Sequence, residues 1–93
     1  MQSSGGSAPN WRQFAVELGH NLQRERLVKG LSQEHVAYRA GLSRFTYQKY
    51  ESGMSRPGTP ANPSIRSLLA ICQVLNIELT NLLPNETPDL TAI

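Results

Sequence analysis

Two short stretches of helical pattern, Gln33–Ala40 and Arg44–Glu51, are joined by Ala40-Gly41-Leu42-Ser43, and no other feature of the chain restricts its fold as tightly. Ser32 and Ser43 stand where N-caps belong, their hydroxyls able to accept from backbone amides that a helix leaves unpaired. Gly41 admits the positive φ that a sharp turn requires, and Leu42 can plug the corner. Val36, Ala37 and Ala40 give the first stretch an inward face, and Gly53 ends the second.

The flanking residues supply longer elements. Trp11, Phe14, Leu18 and Leu22 recur at helical spacing, and Lys29-Gly30 provides a favourable C-terminal charge followed by a stop, which predicts a helix to about Lys29. Pro57, Gly58 and Pro60 mark Met54–Asn62 as an exposed loop. Asn62 followed by Pro63 fits an N-cap with proline in the first helical position. Ile65, Leu68, Leu69, Cys72 and Leu75 then form an apolar stripe, predicting a helix over Pro63–Leu75. A last short helix is expected over Leu79–Leu83, before Pro84. There is no strand pattern and no internal repeat. The expected fold is all-α, a compact bundle of about five helices forming one domain over residues 10–84. Residues 1–9 are a flexible arm or an expression remnant, and residues 85–93 a flexible tail.

Composition narrows the class. A chain of 93 residues, 39% hydrophobic, suits a single core. No apolar run approaches the roughly 18 residues of a membrane helix and no signal peptide is evident, so a soluble, cytoplasmic protein is expected. The lone Cys72 cannot form an internal disulfide and lies on an apolar stripe, where it reads as a small hydrophobe rather than a redox sensor. No metal or cofactor is implied, because no Cys/His cluster has zinc spacing. His20 and His35 fall on different predicted helices without an acidic constellation, so the chain offers no catalytic set and is not expected to be an enzyme. Residues 1–66 carry all nine basic residues against four acidic ones, a net +5, whereas residues 67–93 carry −3. Attraction to phosphate would require such a basic segment.

Two capped helices at this spacing have the geometry of a helix-turn-helix, whose second helix enters the DNA major groove. The stretch from Gly30-Leu-Ser-Gln to Glu51-Ser-Gly53, followed by Pro63-Ser-Ile and a Leu-rich helix, closely resembles the XRE family of phage-repressor-like regulators over residues 18 to 83. The resemblance implies a lambda-repressor-like domain that binds double-stranded operator DNA, usually as a dimer, with the helix after Ser43 as recognition helix. It places Arg44, Phe45, Lys49 and Gln48 against base edges. There an arginine can fork onto guanine O6 and N7, and a phenylalanine can press on a thymine methyl. It places Gln33, Ser43 and Thr46 against phosphate, with Tyr47 and Tyr50 inward, and Arg26 and Glu51 as an ion pair holding the recognition helix in register.

Two departures from the family's pattern stand out. The loop Met54–Asn62 is longer than usual, which leaves Arg56, with Ser55 and Thr59 beside it, as a candidate phosphate contact whose register does not carry over. His35 replaces the residue that would complete a capping box after Ser32. Ile77, Leu79, Leu82 and Leu83 exceed what a short helix needs for anchorage, and the resemblance makes this end a homodimer interface. The expected function is sequence-specific transcriptional regulation by occupancy, with repression favoured over activation. The competing expectation is a protein-interaction module, such as an antitoxin-like regulatory subunit of the same fold.

Overall fold

The computed structural model describes residues 8–92; most of the expected N-terminal arm, residues 1–7, lies outside the described residues, as does Ile93. Helix α1 (Trp11–Val28) starts at a reciprocal capping box: Gln13 N–H donates to the Asn10 side chain and Asn10 N–H donates to the Gln13 side chain, both at 2.8 Å. It buries Phe14, Ala15, Leu18 and Leu22, and the chain leaves it through Gly30 at φ 71°. Helices α2 (Gln33–Arg39) and α3 (Arg44–Ser52) follow, capped by Ser32 and Ser43, whose hydroxyls accept from His35 N–H and Thr46 N–H at 3.0 Å. Gly41 takes φ 74° in the joint between them, the conformation that demanded glycine.

Three expectations need correction. The segment after α3 is not an irregular loop but a small antiparallel ribbon, β1 (Met54–Arg56) and β2 (Thr59–Pro60), with Met54 opposite Pro60 and Arg56 opposite Thr59. Gly58 makes its turn at φ 80°, and the Ser55 hydroxyl donates to the Thr59 carbonyl at 3.3 Å. The prolines that forbid a helix are compatible with a two-stranded ribbon, in which each strand has a free edge. Next, α4 runs Ile65–Leu75 and is capped by Ser64, whose hydroxyl accepts Ser67 N–H at 3.0 Å; Asn62 and Pro63 stay outside. Finally, the expected fifth helix shrinks to a 3-10 turn, Leu79–Asn81. Asn76, at φ 56°, ends α4, and Pro84, which cannot donate and disfavours a helical Leu83, closes the segment soon after.

Leu18, Leu22, Val36, Ala37, Tyr47, Leu68, Ile71, Cys72, Leu75 and Leu82 form the core. On α4 the buried stripe is Leu68, Ile71, Cys72 and Leu75, whereas Ile65 in the first turn and Leu69 on the flank are 63% and 44% exposed. Burial pushes the Cys72 thiol pKa up, which suits an inert hydrophobe.

Two glycines let α1 and α3 approach closely. A Cβ on Gly19 would lie 2.4 Å from the Glu51 carbonyl oxygen and 2.7 Å from that of Tyr50, and one on Gly53 would lie 2.7 Å from the Val16 Cα. Contact at backbone level fixes where α3 sits on the molecule. Gly19→Ala should therefore cost about 1–3 kcal/mol through overpacking, against the roughly 1 kcal/mol that alanine normally gains in a helix. Thermal melting checks this; an unchanged or higher Tm would mean that the two helices can separate without cost.

Candidate nucleic-acid interface

The outer face of α3 carries Arg44, Phe45, Gln48, Lys49 and Ser52, spaced so that they share one side of the helix, while Tyr47 and Glu51 are buried on the other. Phe45 is 68% exposed, and Lys49 Nζ lies 4.4 Å from its ring centroid. Phe45, Gln48, Lys49 and Ser52 line a shallow depression of about 300 Å³. Neither Arg44 nor Lys49 has a carboxylate partner among the described residues; the ion pairs are Arg24–Glu25 and Arg26–Glu51. The face thus offers donors, positive charge and one apolar ring.

The N-terminus of α3 is shared between cap and surface. Ser43 Oγ accepts Thr46 N–H at 3.0 Å and donates to Thr46 Oγ1 at 2.9 Å, so the two hydroxyls form one unit at the mouth of the helix. A neighbouring cleft of about 500 Å³ is lined by Arg26, Ser32, Gln33, Glu34 and Arg44, which brings Gln33 and Arg44 to the same recess.

Behind the face lies a buried clamp. Arg26 Nε and Nη2 donate to the two Glu51 carboxylate oxygens at 2.6 and 3.1 Å, a bidentate pair, and Arg26 Nη1 donates to the Leu31 carbonyl at 2.8 Å. Gln33 Nε2 adds a third bond to Glu51, at 2.9 Å. Together with Gln33 the pair joins the end of α1, the start of α2 and the end of α3, and both of its residues are buried. Burial alone would raise the Glu51 pKa, but the polar contacts of Arg26, Tyr47 and Gln33 outweigh it and hold the carboxyl below its ordinary value. The Tyr47 hydroxyl is buried beside the pair without a hydrogen bond of normal geometry, and burial pushes its own pKa well up.

The model of the helix-turn-helix domain family matches residues 17–83. The chain belongs to that family. The helix-turn-helix domain is also similar to the restriction-modification controller protein C.AhdI from Aeromonas hydrophila: 34% identity, TM-score 0.65, covering 73% of this chain and 94% of that one. It shares its fold, at 23% identity and TM-score 0.66, with a hypothetical transcription factor from Neisseria, covering 86% and 84% of the two chains. No curated protein matches. The family match over residues 17–83 agrees with the helix-turn-helix reading of the sequence.

The remaining sequence candidates are placed unevenly around this domain. Arg56 is exposed near the turn of the ribbon, directly after α3 in the chain. Leu82 is fully buried in its own core and its carbonyl accepts from Asn21 Nδ2 at 2.8 Å, so it presents no side chain to a partner. Ile77 and Leu79 pack partly on that core, and Leu83 is 37% exposed. Sequence reasoning passed over Gly19, although an isolated glycine inside a helical pattern signals close packing. It also passed over Arg12, whose Nη2 donates to the Gly58 carbonyl at 2.9 Å and braces the ribbon against α1; nothing in the local pattern marks that contact. Among the described residues, no group of three or more His, Cys, Asp or Glu could hold a metal ion, and no helix is long and apolar enough to cross a membrane.

Proposed function

We propose that this domain is a sequence-specific, double-stranded-DNA-binding transcriptional regulator that acts by occupying an operator, with repression as the simplest consequence. The observation that carries the proposal is the outer face of α3: Arg44, Phe45, Gln48 and Lys49 project together without an acidic partner among the described residues, on a helix locked from behind by the Arg26–Glu51 clamp. A helix so presented after a tight turn suits major-groove entry. Gln33, Ser43, Thr46 and Arg56 are proposed as phosphate contacts that set register, leaving base edges to Arg44, Phe45, Gln48 and Lys49. That a similar protein is a controller of restriction-modification supports a regulatory role.

One α3 spans only a few base pairs, so the working form is proposed as a homodimer on half-sites about 34 Å apart. Leu83, with the outer parts of Ile77 and Leu79, is the proposed contact. Selection of preferred sites from random duplex DNA should return a palindrome. Affinity for the selected site should fall at least tenfold between 50 and 200 mM salt, since each neutralised phosphate steepens the slope by about 0.9. The exposed Phe45, Ile65 and Leu69 favour a second reading, a protein-interaction module. Absence of enrichment, with weak binding indifferent to sequence, would move the assignment there.

A further inference from the structure

The outer face of α3 pairs an exposed aromatic ring with a cation. Phe45 is 68% exposed, and Lys49, one turn further along α3, holds its ammonium 4.4 Å from the ring centroid. A lysine without a carboxylate partner among the described residues retains donors to spend. Each group steadies the other: the ring quadrupole attracts the ammonium, and the ammonium limits where the ring can turn. One side of the ring thus faces the cation, leaving the rest of the ring for an apolar contact. The depression that the two share with Gln48 and Ser52 has an aromatic wall and a polar rim.

In the major groove, an apolar group beside an acceptor-rich edge is a specific combination. The 5-methyl group of a pyrimidine is the apolar marker there, and guanine presents two acceptors, O6 and N7. Adenine sets an N6 amino donor against the lysine and cytosine an N4 amino donor, so guanine is the base an ammonium prefers. Thymine and 5-methylcytosine carry the same methyl group on the same ring position; uracil and cytosine lack it.

We propose that Phe45 and Lys49 act as one reader of a 5-methylpyrimidine next to a guanine, so that the protein accepts thymine or 5-methylcytosine at that position and discriminates against uracil and unmethylated cytosine. Cytosine methylation would then turn a weak site into a good one. The inference rests on the DNA-binding proposal and deepens it, adding a chemical modification of the DNA as an input to occupancy.

The test uses the full chain and its selected duplex. Each pyrimidine of the half-site is replaced in turn, thymine by uracil, and thymine·adenine by 5-methylcytosine·guanine or cytosine·guanine. One position, next to a guanine, should weaken about three- to fivefold per half-site on loss of the methyl group, the change expected for about one buried CH₂. At that position 5-methylcytosine should bind about three- to fivefold better per half-site than cytosine, the same gain that thymine shows over uracil. Phe45→Ala should abolish the methyl difference, and Lys49→Ala the preference for the neighbouring guanine; both residues lie on the surface, so circular dichroism should be unchanged. Equal binding of thymine and uracil at every position, a methyl difference that survives Phe45→Ala, or 5-methylcytosine no better than cytosine each overturns the inference while leaving sequence-specific DNA binding intact. A wild-type protein without sequence preference overturns both.

Discussion

Glu51→Gln should lower the stability of the domain by about 3–5 kcal/mol, the range observed when one member of a buried ion pair loses its charge. The substitution keeps the shape of the side chain and an acceptor oxygen, but it leaves the Arg26 guanidinium, 8% exposed, facing an amide. Arg26 reaches both carboxylate oxygens and has no second anion among the described residues. Domains of this size hold only about 5–15 kcal/mol in total, so the variant should melt far below the wild type. The pH dependence carries a definite sign. The folded pKa of Glu51 lies below its ordinary value of 4.5, so its contribution is complete above that value and is lost as pH falls through the folded pKa. The stability gap between wild type and Glu51→Gln should accordingly be constant near neutrality and close on acidification below about pH 4.5. Urea titrations at several pH values measure it. A gap below 1 kcal/mol at pH 7, or one that widens in acid, would show that the clamp is not the brace proposed here.

How far the sequence carries this architecture depends on whether a feature is written locally. The caps Ser32 and Ser43, the left-handed Gly41 and Gly53, and the inward Val36 and Ala37 are local, and each lies where its chemistry predicts. The Arg26–Glu51 pair spans 25 residues and came only through the family resemblance; periodicity alone does not reveal which distant charges meet. Met54–Pro60 misled because proline and glycine argue against a helix without arguing against a ribbon, and the pairing of such short strands depends on partners elsewhere, including Arg12 on α1. Leu82 misled in the opposite sense. Counting apolar residues near the C-terminus suggested surplus surface, yet the shortened final turn places Leu82 in the core and leaves Leu83 outside. Ile65 and Leu69 show the same limit on α4: of the residues read as one stripe, Leu68, Cys72 and Leu75 are buried, while Ile65 precedes the core and Leu69 lies on its flank.

Removal of the Arg44 side chain should have the largest effect on recognition. Arg44 is exposed in the first turn of α3, forms no hydrogen bond or ion pair among the described residues, and shares its recess with Gln33. Its planar fork can meet guanine O6 and N7 together, which lysine cannot reproduce. Arg44→Ala should therefore cost about 1–3 kcal/mol in each half-site, twice that for a dimer bound to a palindrome, and relax the preference at one base position per half-site. Folding should be untouched, because Arg44 is exposed and no hydrogen bond or ion pair among the described residues is lost with it. The pattern across sequences separates two roles. If Arg44 reads a base, the loss is large on the selected site and small on duplexes already mismatched at that position. If it meets phosphate, the loss is the same on every sequence and the salt slope falls by about one for each half-site. Binding measured for wild type and Arg44→Ala on the selected and singly mismatched duplexes distinguishes them. Arg44→Lys sharpens the result, since a phosphate site should tolerate the change and a bidentate guanine site should not.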